Sequence, residues 1–124
     1  MNFKILLFLF LISTSVFAQN YQKKWNKIYE TESKGNIKEA YKDVLQIEQK
    51  AQKKNNQEEL IKVFLFKAKY ENVLLDKKYS DFFAEINNQI KNANGSSVYF
   101  YNYIKAVYLA AYFNKYQSDI QRRG

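Results

Sequence analysis

The chain contains no cysteine, no histidine and no proline in 124 residues, and only three glycines. The first absence excludes disulfide staples, thiolate metal sites, a cysteine nucleophile and an internal thioester. The second removes the commonest general base and the commonest transition-metal ligand, so catalysis would have to run on carboxylates, lysines or tyrosines. Without proline, and with glycine only at Gly35, Gly95 and Gly124, helix interiors meet almost no breakers. The expectation is an all-α fold.

At the N-terminus Lys4 precedes an unbroken apolar run from Ile5 to Ile12, and Val16-Phe17-Ala18 sets small residues at the −3 and −1 positions of a cleavage site. Residues 1–18 therefore read as a signal peptide cut after Ala18, and the product is expected in the periplasm or outside the cell. The run is too short to span a bilayer, and no stop-transfer pattern follows it. Removing eighteen residues from 124 leaves 106, residues 19–124, enough for one modest domain. Without Lys4, nineteen basic residues face twelve acidic ones, a net charge of +7. The two signs interleave, as in Lys67-Lys69-Glu71, so solvated helix faces explain the charge better than an anion-binding patch does.

Hydrophobic periodicity divides the remainder into five helices. Residues 21–33 carry Tyr21, Trp25, Ile28 and Tyr29 on one stripe that ends near Gly35. Asn36 to Glu39 reads as an N-cap with a capping-box glutamate, opening a helix whose core face is Ile37, Ala40, Tyr41, Val44, Ile47 and Ala51. Asn56 to Glu59 repeats that spacing. The stretch from Leu60 to Leu75 is apolar on two sides, with Ile61, Phe64, Leu65 and Ala68 on one and Leu60, Val63 and Phe66 widening it, which suits a helix packed between neighbours. Asp76-Lys77-Lys78 breaks it. Tyr79, Phe82, Phe83, Ile86 and Ile90 mark a fourth helix, the turn at Asn94-Gly95 follows, and a fifth runs from Ser97 to about Arg122. Its expected core stripe is Phe100, Ile104, Val107 and Ala111, flanked by Tyr101, Tyr108 and Tyr112. Short links between such helices favour antiparallel hairpins. Lys34-Gly35-Asn36-Ile37-Lys38-Glu39-Ala40-Tyr41 resembles the start of the second helix of a tetratricopeptide repeat, with Lys78 to Phe83 as a degenerate successor in which Phe82 stands in place of Ala40.

Chemistry is sparse. The carboxylate pairs Glu30/Glu32 and Glu58/Glu59 point in different directions on a helix, whereas Asp81 and Glu85 share a face on a surface stripe beside Lys77 and Lys78. No phosphate loop, zinc-protease helix or serine elbow is present. No catalytic, cofactor-binding or metal-binding residues are assigned. Eleven tyrosines and ten phenylalanines among basic residues could stack on single-stranded nucleic acid, but export argues against that partner and helical spacing argues for packing. Tyr99, Tyr101, Tyr103 and Tyr116 cannot all point inward, and an exposed aromatic patch drawn from them is the candidate partner-docking surface.

The order of features, a signal peptide, an early Trp25, Gly35 to Ala40, Ala51 with Asn55-Asn56, Ile61-Lys62 and a Tyr-rich last helix, resembles the helical N-terminal region of the alpha-2-macroglobulin-like proteins exported by Bacteroidota-type bacteria. That resemblance covers residues 21–120. It implies a non-catalytic module ahead of β-sandwich domains in a protease trap, with following domains of the same chain as partners. The family's thioester motif has no counterpart, since Gln46 stands where its cysteine would be before Ile47-Glu48-Gln49. Residues 117–124 end inside a helical pattern, consistent with a fragment of a longer protein and equally with a helix that frays at a natural terminus. The alternative function is a free-standing periplasmic tetratricopeptide-like adaptor, and a third, from another class, is a small carboxylate-based hydrolase.

Overall fold

The computed structural model describes residues 20–123. The expected signal peptide lies outside the described residues. Those described form five helices and no strand: α1 (residues 20–33), α2 (Ile37–Lys53), α3 (Gln57–Leu74), α4 (Tyr79–Asn92) and α5 (Ser97–Arg123). Each boundary falls where the breakers place it. Gly35 has φ +80°, and the N–H of Asn36 reaches back to the carbonyl of Thr31 at 3.2 Å. Asn55 repeats the turn at φ +50°, with Asn56 N–H donating to Ala51 at 2.9 Å. Both are left-handed caps that satisfy the last carbonyls of a helix, one using glycine and one using asparagine, which tolerates that conformation.

The two expected N-caps differ. Asn56, with an extended backbone, accepts a hydrogen bond from the Glu59 N–H at 3.2 Å. Asn36 makes no side-chain cap, because its ψ of 61° lies outside the extended region that aims an N-cap oxygen into the first turn. Nor does Glu59 complete the expected box, since its carboxylate accepts from Trp25 Nε1 at 2.7 Å instead. An unexpected closure forms at α4, where exposed Asp81 accepts from the Lys78 N–H at 3.1 Å.

Two apolar clusters share α3. Tyr21, Trp25 and Ile28 of α1 meet Ala40, Val44 and Ile47 of α2 and Val63 and Tyr70 of α3. On the other side of α3, Ile61, Phe64 and Ala68 pack with Phe82 and Ile86 of α4 and with Tyr101 and Ile104 of α5. The two-sided pattern of residues 60–75 is thus the signature of a central helix.

Side-chain pairings give the order of the stack. Lys27 meets Asp43 while Lys50 lies over Tyr21, so α1 and α2 run in opposite directions. Tyr41 meets Glu71 and Glu48 meets Lys67, reversing direction again at α3. Trp25 with Glu59 and Glu32 with Tyr70 make α1 parallel to α3. Ala40 is fully buried where α2 meets its neighbours. Ala40→Leu should overpack that contact and cost about 1–3 kcal/mol, as read by urea titration. An unchanged midpoint would mean that this face has room to spare.

Candidate docking surface

Helix α5 carries all four tyrosines expected at a docking surface, and the structure does not gather them on one face. Tyr99 and Tyr103 are 78% and 70% exposed, one helical turn apart. Tyr101 is 3% exposed and packs edge-on against Phe64 at a centroid distance of 5.7 Å. Its phenol is pushed up by that burial. Tyr116 is half-buried beside Tyr112 and Tyr79, with the ammonium of Lys115 over the Tyr79 and Tyr116 rings. Tyr101 therefore belongs to the core, Tyr116 to the α4/α5 seam, and only Tyr99 and Tyr103 to an open surface.

The core stripe of α5 is also rotated from its expected position. Tyr101, Ile104 and Tyr108 face inward, with Tyr108 stacked on Phe82 at 3.9 Å, while Phe100 and Val107 are about half exposed and Ala111 is exposed. Because α5 is apolar almost all round, periodicity alone cannot select its buried side. The rings of Phe64 and Phe82 select it, since aromatic pairs gain from close offset or edge contact.

That rotation opens an apolar groove between α3 and α5. It holds about 270 Å³ and is lined by Ile61, Leu65, Phe100, Tyr103, Val107 and Tyr108 with Ile104 at its base. Every lining side chain is hydrocarbon apart from the tyrosine hydroxyls. Such a face is unusual in a chain in which a quarter of the residues are charged.

A second cleft, of about 280 Å³, lies where the end of α3 meets α4 and α5, and its partly apolar wall carries charged side chains. Glu71, buried at its edge, accepts from the Tyr41 hydroxyl and from Lys77, each at 2.7 Å, and Lys77 also pairs with Glu85. Burial works to raise the Glu71 carboxyl, but the bonds from Lys77 and Tyr41 outweigh it and hold the group below its usual range. Hydrogen bonds to Glu71 and then Glu85 push the Lys77 ammonium up. Burial, followed by the neighbouring Glu71 carboxylate, pushes Tyr41 up to about 12. These groups are locked in their charged or neutral forms, so the cluster acts as a polar pin between α2, α3 and α4. Neither Glu71 nor Lys77 is poised to exchange a proton near neutral pH.

The carboxylate pairs singled out from the sequence do not converge. Glu30 binds Lys34, Glu32 binds Lys69 and Tyr70, Glu59 binds Trp25, Asp81 caps α4 and Glu85 binds Lys77. Glu71 was not among the expected site residues. Its signal, a lone carboxylate within the most apolar stretch of residues 60–75, is visible only once Tyr41 and Lys77 are brought beside it.

Among the described residues no group of three or more carboxylates could hold a metal ion, and no helix is long and apolar enough to cross a membrane. Comparison with protein-family models, with curated proteins and with solved structures finds no match for this chain.

Proposed function

We propose that this chain is a non-catalytic, exported helical scaffold that presents an apolar docking face to another protein surface. One observation carries the reading: the groove between α3 and α5, open to solvent and bordered by Leu65, Phe100, Tyr103 and Val107, has almost no polar lining. Monomeric proteins rarely leave contiguous apolar patches beyond a few hundred Å² uncovered unless the patch binds something. The second cleft favours the same reading over a carboxylate hydrolase, because Glu71 and Lys77 are spent on each other.

Stacked hairpins of tetratricopeptide type describe the scaffold, with α1, α3 and α5 on one side and α2 and α4 on the other. The pairing of α1 with α3 and of Phe64 with Tyr101 supports that arrangement. Ala40 and Phe82, the fourth residues of α2 and α4, are both buried, so the degenerate position keeps its inward role with a larger side chain. The adaptor reading and the scaffold reading share this face. The family context we propose is the one its residue pattern resembles, the helical N-terminal region of an alpha-2-macroglobulin-like protease trap. A reading frame running past codon 124 into β-rich sequence is the expected result, and a stop codon there removes that context.

A fluorescent hydrophobic dye tests the docking face. The chain should enhance its emission, and Val107→Lys, which sets an ammonium at the groove, should reduce that enhancement several-fold with helicity unchanged. Absence of enhancement by the unaltered chain would sink the proposal.

A further inference from the structure

Beyond the groove, α5 carries a second apolar stripe that the core does not use. Tyr99, Tyr103, Ala106, Ala110, Phe113 and Gln117 recur at alternating steps of four and three, and all six are exposed. Alternation of this kind keeps one helix face turned toward a second helix along its whole length, as in a coiled-coil seam. The packed face of Tyr101, Ile104 and Tyr108 lies away from it. Among the described residues no helix lies on this helix-pairing seam.

Two observations choose its occupant. The first is charge: from Ser97 to Gln117 the helix has no acidic residue, and its two cations lie off the seam, Lys105 half-buried and Lys115 over the rings of Tyr79 and Tyr116. Two strongly basic chains can meet there without bringing like charges together. The second is order: read in either direction, the seam runs from large side chains through two small ones to a large one. Laid antiparallel on itself with the two-fold axis between Ala106 and Ala110, it sets Ala106 against Ala110 of a second copy, where the backbones can approach closely. Tyr103 then falls against Phe113 of that copy, once on each side of the axis. A two-fold interface requires this reciprocity.

We infer that the chain forms a two-fold symmetric dimer through antiparallel pairing of α5 with α5 of a second copy. The inference rests on the reading of α5 as a docking surface and assigns its outward seam, beside the groove, to a second copy. Because the seam sits beside the α3/α5 groove, pairing would join the two grooves into one continuous apolar trough.

The absence of cysteine makes the test clean. Protein expressed from the complete gene, its N-terminus identified by mass, should sediment as a dimer in the micromolar range. Ala106→Glu, which sets two carboxylates near the axis, should weaken association by about a hundredfold or more with helicity unchanged. Tyr103→Lys serves as the second variant, and both positions are exposed in the single chain. Chains carrying Ala106→Cys mixed with chains carrying Ala110→Cys should cross-link to one another on mild oxidation in preference to themselves. Like-with-like cross-linking would overturn the antiparallel register, and dimerisation untouched by Ala106→Glu and Tyr103→Lys would overturn the seam. A monomer that still enhances the dye would overturn the second copy as occupant while leaving the docking face standing. A monomer without dye binding would overturn both.

Discussion

Replacing Trp25 by alanine is expected to lower the unfolding free energy by about 3–5 kcal/mol, a large part of the 5–15 kcal/mol typical of a domain. The side chain is 1% exposed and belongs to the α1/α2/α3 cluster. Its ring lies 4.9 Å from Phe66, and the ammonium of Lys62 stands over it at 4.5 Å. The indole N–H gives a charged acceptor, Glu59, its hydrogen bond at 2.7 Å. Trp25→Phe separates the contributions. It keeps an aromatic ring but removes the donor, so its cost should be nearer 1.5–3 kcal/mol, about that of a hydrogen bond to a charged group. Circular dichroism during urea unfolding reads both variants without relying on tryptophan emission. Trp25→Ala costing no more than Trp25→Phe would show that ring packing contributes little and that α1 is held by the hydrogen bond.

How far the sequence reveals this molecule depends on how much of each helix is polar. In α2 and α4, polar residues leave one apolar stripe, and Ala40, Val44 and Ile47, or Phe82 and Ile86, are buried as the spacing predicts. The central position of α3 is legible for the opposite reason: a helix apolar on two sides needs two neighbours. Helix α5 defeats the same logic. Its apolar residues surround it, so the stripe through Phe100 and Val107 and the stripe through Tyr101 and Tyr108 are equally periodic. The choice is made by the aromatic rings of α3 and α4, which come from elsewhere in the chain. Caps divide likewise. Glu59 satisfies the spacing of a capping box, but a buried indole N–H needs an acceptor, and pairing it with a charged oxygen outweighs a bond at a solvated helix end.

The polar pin was illegible because it is assembled from three helices, and its removal gives the second large effect. Lys77→Met should cost about 2–4 kcal/mol near neutral pH, because the buried Glu71 carboxylate loses its ion pair and keeps the Tyr41 hydroxyl as its hydrogen-bond donor. The pH dependence identifies the cause. In the unaltered chain the folded-state pKa of Glu71 is lowered, so its contribution is present above the ordinary carboxylate value of 4.5 and is lost as pH falls through the lower folded value. Glu32, lowered chiefly by its hydrogen bond from Lys69, adds an acid limb of the same sign. Without Lys77, burial is opposed only by the Tyr41 hydrogen bond and the charge of Lys67, so the Glu71 carboxyl rises relative to the parent. Acid therefore weakens the variant less than it weakens the parent. The stability difference between the two chains should therefore shrink as pH falls below about 4.5. Glu71→Gln in the Lys77→Met background should recover part of the loss at neutral pH by removing the unpaired charge. Parallel urea titrations across this range measure the difference directly. A gap between parent and Lys77→Met that stays constant from neutral to acid pH would show that Lys77 acts through its packed methylenes rather than its charge.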